Sequence, residues 1–158
     1  MLPNPTTFLN QIFKELQQAK IDVSNLYLDH ICYRVESMEG YQALKSELNI
    51  HQLLTESQIN GRPIATFLLK EPFTYKNRNI YCLELPAPKK QSHYKEGYEH
   101  VEFVIKESFM DFMQRNAHLK FDTKGMKKAI NADIRLPFNN CSVKFHHFPL
   151  EHVVRYLD

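Results

Sequence analysis

The chain has 158 residues, 43% of them hydrophobic, with 11 Phe, 8 Tyr and a formal charge of +2. That length suits one domain, or two small repeats sharing a core, and the composition excludes a low-complexity or disordered chain. The weak charge implies no nucleic-acid partner, no apolar run is long enough to span a bilayer, and the start, MLPNPTTF, lacks the charged-then-apolar pattern of a signal peptide.

The first predicted element is a helix from about Thr6 to Lys20, where Phe8, Ile12, Leu16 and Ala19 recur at helical spacing. Pro3 and Pro5 precede it, and Thr6 or Thr7 can cap it. Leu28 to Glu36 alternates and reads as a strand. Met38 to Leu48 reads as a helix, with Tyr41, Leu44 and Leu48 on one face. Ile50 to Ile59 and Arg62 to Leu69 read as strands joined by Asn60–Gly61, a strong hairpin signal. Asn79 to Leu85 is the next strand, which completes the order β-α-β-β-β.

Pro86, Pro88 and the polar stretch to Gly97 read as a linker. The same order then recurs: a strand at Tyr98 to Lys106, a helix at Glu107 to Ala117, and strands near Leu119 to Thr123 and Asp133 to Leu136. A closing strand runs from Ser142 to Phe148, and Glu151 to Leu157 is apolar enough to pack back on the core. The expected organisation is a single domain over 1–158, with a helical extension (1–24), a first module (25–90) and a second (97–158).

The three cysteines, Cys32, Cys82 and Cys141, are odd in number, scattered and outside any CxxC. They read as reduced, mostly buried thiols of a cytoplasmic protein. The basic clusters at Lys89–Lys90 and around Lys124, Lys127 and Lys128 read as solvated loops.

Two stretches look like one strand written twice: LDHICYRVE from Leu28 and YEHVEFVIK from Tyr98. Each carries an acidic residue and then a histidine, and His30 and His100 lie 70 residues apart. Aligning IYCLELP with VKFHHFP on Pro86 and Pro149 places Glu84 opposite His147. The intervals, 54 residues from His30 to Glu84 and 47 from His100 to His147, differ by an amount that loops absorb.

Side chains alternate between the faces of a strand. His30, Cys32 and Arg34 therefore share one face, as do His100, Glu102 and Val104. The apolar opposite faces should pack on helices, so the histidine faces should line a cavity. Parity puts Glu84 with Cys82, and His147 with Phe145 and Val143, while His146 points away with Lys144 and Phe148. Imidazole and carboxylate groups suit divalent first-row metals. The matched set His30, Glu84, His100 and His147 thus points to a metal site.

The stretches LDHICYRV, IYCLELPAP, YEHVEFVI and VKFHHFPLEH together resemble the vicinal oxygen chelate superfamily of glyoxalase I, fosfomycin-resistance proteins and extradiol dioxygenases. More narrowly, the chain resembles the uncharacterised YecM-like branch, which has an extra N-terminal helix. The resemblance implies an α+β fold: two paired βαβββ modules forming a curved, barrel-like mixed sheet with flanking helices. It also implies metal ligation by His30, Glu84, His100 and His147. Glyoxalase-like enzymes carry a glutamate, which can act as base, where this chain has His147. Glu102 is then the candidate to move protons, and Arg34 the candidate to neutralise an anionic substrate.

Four protein ligands would close a tetrahedral zinc site. Nickel, manganese or iron would leave positions for a substrate with neighbouring oxygens, and so support isomerase or lyase chemistry. Three histidines and one glutamate suit oxygen activation less well. The expected partner is a small molecule, with no nucleic acid or membrane, in a monomer or homodimer. The alternatives are a non-catalytic metal- or small-molecule-binding protein, a dioxygenase and, last, a nucleic-acid or protein adaptor.

Overall fold

The computed structural model describes residues 2–90 and 94–157; residues 91–93 of the expected linker lie outside the described residues. Helix α1 (Thr6–Gln18) turns Leu9, Ile12 and Leu16 inward, all fully buried. Pro5, rather than a threonine, stands at its cap, and Asn4 Oδ1 accepts the Thr6 amide at 2.9 Å.

The first module follows as β1 (Tyr27–Arg34), α2 (Met38–Glu47), β2 (Gln52–Ile59), β3 (Arg62–Tyr75) and β4 (Arg78–Pro86). Ser37 caps α2 by accepting the Gly40 amide at 3.0 Å. Asn60 and Gly61 both take positive φ, as a tight hairpin turn requires. Strand β3 continues past its expected end at Leu69, through a register break between Leu68 and Phe73.

The second module comprises β5 (Gly97–Val104), α3 (Phe109–Arg115), β6 (Asp133–Pro137), β7 (Ser142–His146) and a final helix α4 (Leu150–Tyr156). The strand expected near Leu119 to Thr123 is reduced to one bridge, Asp122 with Arg135. In the first module Tyr41 and Lys45 of α2 both bind Glu56 and tie β2 down. The second module turns instead through a short 3-10 segment at Lys124–Lys127.

All seven strands form one curved, unclosed sheet in the order β2-β3-β4-β1-β5-β7-β6. Strands β1 and β5 are antiparallel at its centre, while β1–β4 and β5–β7 are parallel. Read outward from the centre, each half repeats the other. One face of the sheet is apolar: Ile31, Leu83, Val101, Phe103, Val143 and Phe145 are fully buried in the core. Phe103 stacks on Phe145 at 6.0 Å, and Phe112 of α3 closes on Phe145 at 4.6 Å. Truncating such a residue to alanine costs roughly 3–5 kcal/mol. This rigid backing leaves the other face to hold polar groups in place.

Candidate active site

The two dipeptides Asp29–His30 and Glu99–His100 owe their geometry to β-bulges. Leu28 pairs with Phe103 and His30 with Glu102, so Asp29 is an extra residue in β1. Cys32 pairs with His100 and Tyr33 with Tyr98, so Glu99 is an extra residue in β5. Regular alternation would send an acid and the next histidine to opposite faces; each bulge returns them to the same side. Asp29 Oδ2 then lies 2.7 Å from His30 Nδ1, and Glu99 Oε2 binds His100 Nδ1. Both imidazoles therefore present Nε2 to the open face.

Glu102 sits between them. Its Oε1 lies 3.3 Å from His30 Nε2 and 3.1 Å from His100 Nε2. Glu84 approaches from β4, with Oε2 3.7 Å from His100 Nε2. Lys144 enters from β7 and donates to Glu102 Oε1 at 2.7 Å, with its Nζ 3.2 Å from His100 Nε2. His146 lies fully buried behind the site, with Nε2 3.3 Å from Asp29 Oδ2 and Nδ1 3.1 Å from Asn131 Oδ1. Asp29 also accepts the Leu150 amide at 2.9 Å and so ties the start of α4 to the site.

Of the residues expected to meet here, His30, Glu84, His100 and Glu102 do. His147 does not. It follows the end of β7, its Nδ1 lies 3.1 Å from the Ile105 carbonyl, and its ring stacks on Phe109 at 4.2 Å. The proline alignment misleads because Pro86 ends a strand whereas Pro149 caps α4. Strand register gives the true correspondence: β4 sets Glu84 opposite Cys32, and β7 sets Lys144 opposite Glu102. Lys144 and His146 thus lie on the site's side of the sheet, with Lys144 lining the cavity, reversing the parity expected for this strand. Arg34 stays outside the cavity. It lies 3.4 Å from Glu99 and 4.8 Å from the Tyr94 ring centre, where it steadies the carboxylate behind His100.

Sequence reasoning missed Lys144, His146 and the supporting role of Asp29 and Glu99. The apolar-charged-apolar match of Leu83–Glu84–Leu85 with Val143–Lys144–Phe145 was the signal for Lys144.

The electrostatics follow from burial opposed by charge. Burial favours a neutral His30, but Glu102 and Asp29 outweigh it and hold the imidazole up to about 10. Burial would raise Asp29, yet His146 and His30 hold it down to about 2. Burial would likewise raise Glu99, but His100 and Arg34 bring it to about 2. Glu102 lies well below the ordinary carboxylate range, because Lys144 and His30 overcome its desolvation. Asp29, Glu99 and Glu102 are thus held ionised by the imidazoles, Arg34 and Lys144 around them.

The site opens into a cavity of about 450 Å³. His30, Glu84, Glu102, Lys144 and Asp133 form its polar floor. Ile59 and Ile64 of the β2–β3 hairpin, Ile130, and Leu150, Val153 and Val154 of α4 form apolar walls. Helix α4 therefore covers the pocket as well as packing on the core.

The donor set fits a divalent cation. Ligand atoms of His30, Glu84, His100 and Glu102 all lie within 4.8 Å of one another. Bonds near 2.1 Å give coordination edges of roughly 3.0–3.4 Å, which the separations above approach. Each imidazole has its far nitrogen held by a carboxylate, the support expected behind a metal-bound histidine. Among the described residues His30 Nε2 is buried without a hydrogen bond, although Glu102 Oε1 stands 3.3 Å away.

Comparison with known proteins agrees with this architecture. The model of the family described as YecM protein matches residues 1–156. An uncharacterized protein of Haemophilus influenzae is 32% identical over 104 residues, covering 63% of this chain and 54% of that protein. The chain spans about half the length of the curated relatives it matches. Among solved structures, the structural-genomics protein EC4020 superposes with a TM-score of 0.82 at 22% identity, over 96% of this chain and 88% of that one. A Streptomyces coelicolor methylmalonyl-CoA epimerase in complex with 2-nitronate-propionyl-CoA gives 0.55 at 13% identity, over 78% and 98% respectively. The fold is that of the vicinal oxygen chelate superfamily. No helix among the described residues is long and apolar enough to cross a membrane.

Proposed function

The chain belongs to the YecM family, and on that premise we propose that its pocket is the active site of a divalent-metal-dependent isomerase or lyase. The substrate is a small metabolite that presents neighbouring oxygens. The observation carrying this reading is Glu102, a buried carboxylate between two imidazole Nε2 atoms at the floor of a cavity.

His30, Glu84 and His100 would hold the metal, whose charge would polarise a substrate carbonyl and stabilise an enolate. Glu102 takes a proton from the carbon beside that carbonyl and returns it. In the metal-free pocket Lys144 holds the Glu102 carboxylate ionised and in place. Asp29 and Glu99 orient the imidazoles, and Arg34 supports Glu99. The apolar walls exclude water from the reacting carbon. The CoA ester bound by the epimerase neighbour supplies the first substrate class to test. All these residues come from one chain, so a monomer suffices. Three buried free cysteines agree with a cytoplasmic setting.

With His147 outside, the set His30, His100 and Glu84 is two histidines and one carboxylate, which also suits an oxygen-activating iron site. Deuterium exchange in D₂O, followed by NMR over a panel of acyl-CoA esters and 2-keto acids, separates the readings. Proton-transfer chemistry predicts exchange beside the carbonyl, slowed by about 10²–10⁴-fold in Glu102→Gln. Oxygen uptake with iron and a diol, without such exchange, would favour a dioxygenase. Ligand binding without turnover would favour a binding module.

A further inference from the structure

We infer that Lys144 is a built-in competitor for the cation of this pocket: its ammonium stands where the internal repeat calls for a ligand, and a divalent ion enters by displacing it. The inference rests on the reading that the pocket takes a metal. It starts from register. The first and last strands of each module pair in parallel with the same offset, Cys32 with Glu84 and Glu102 with Lys144. Lys144 is therefore the counterpart of Glu84, with the opposite charge.

Its contacts are those of an occupant. Nζ lies 2.7 Å from Glu102 Oε1 and 3.2 Å from His100 Nε2, two of the atoms that converge on the cation's place. The side chain is only 19% exposed. An ammonium and a divalent ion both set against His100 Nε2 in so dry a place repel strongly. The ammonium can turn toward Asp133, a carboxylate of the same cavity that Lys128 already binds. Once displaced, it also stands ready to pair with an anionic group on the substrate. The site thus favours metal and anionic substrate arriving together, and an empty pocket stays neutralised by its own lysine.

Calorimetric titration of the full chain with Zn²⁺ and with Mn²⁺ tests this. Lys144→Met should bind Zn²⁺ about tenfold or more tightly than the parent, while Lys144→Arg, which keeps the charge, should gain nothing. Equal or weaker binding by Lys144→Met overturns the competition and leaves the metal site standing. Binding by neither protein, both folded by circular dichroism, overturns the metal reading itself. A second measurement needs no variant. In the parent protein Zn²⁺ should speed reductive methylation of Lys144, read by peptide mass, and an unchanged or slower rate overturns the inference.

Discussion

In the first module β1 and β4 set Cys32 opposite Glu84; in the second, β5 and β7 set Glu102 opposite Lys144. The backbone is repeated and so are the bulged acid–histidine pairs, but the charges are not. The first half contributes one carboxylate with room around it. The second contributes a carboxylate already paired with an ammonium. The repeated elements are those that orient two imidazoles, which either half must do. The elements that diverge decide what lies between the imidazoles, and so the chemistry.

Replacing equivalent residues in the two halves should show this asymmetry. Glu102→Ala leaves the Lys144 ammonium buried without its partner and should destabilise the fold by about 3–5 kcal/mol. Cys32→Ala, at the equivalent position, removes one small thiol and should lose roughly 1 kcal/mol. Urea unfolding midpoints measure both; equal losses would mean that the two positions are energetically alike.

Lys144→Glu gives the equivalent positions 84 and 144 the same charge. Without metal it should lower Tm, because the new carboxylate then joins Glu84, Glu102 and Asp133 on one floor. At one Zn²⁺ concentration, about a hundred times the variant's Kd, binding should return about 2.7 kcal/mol, and the parent, with its weaker site, should show the smaller Tm rise.

The bulged acids should act symmetrically. Asp29→Asn and Glu99→Gln should each weaken metal binding by about 10–100-fold. Asp29→Asn should also loosen α4, which starts on that carboxylate, and hydrogen exchange at Leu150 would report it.

The smallest effect concerns β2, the strand that the second module lacks. Lys45 and Tyr41 hold the Glu56 carboxyl below its ordinary range. Its contribution is therefore present above the unfolded pKa and lost as pH falls through the folded one. Glu56→Gln should lower stability at neutral pH by less than about 1 kcal/mol. That gap should close in thermal melts below the carboxylate range.

Much of the fold could be read from residue order. Helical spacing located α1 and α2, Asn60–Gly61 located the hairpin, and the twice-written strand located His30 and His100. The apolar faces of β1 and β5 were legible because alternation is strict after each bulge. The bulges themselves were not, since neither Asp29 nor Glu99 brings the glycine that often marks one, and their carboxylates seemed to face away. His147 was preferred over His146 because a proline looked like a strand landmark. Only backbone register, a tertiary property, shows that β7 ends first. The same misleading landmark hides Lys144, because it turns the residue away from the site together with His146 and Phe148.

The most direct test is anomalous scattering from crystals soaked in Zn²⁺ together with an anionic acyl ligand. One peak is expected, bounded by His30 Nε2, His100 Nε2 and the Glu84 carboxylate, with Lys144 turned away from Glu102. A peak at His147, or no peak in this pocket while Lys144 remains on Glu102, would contradict it.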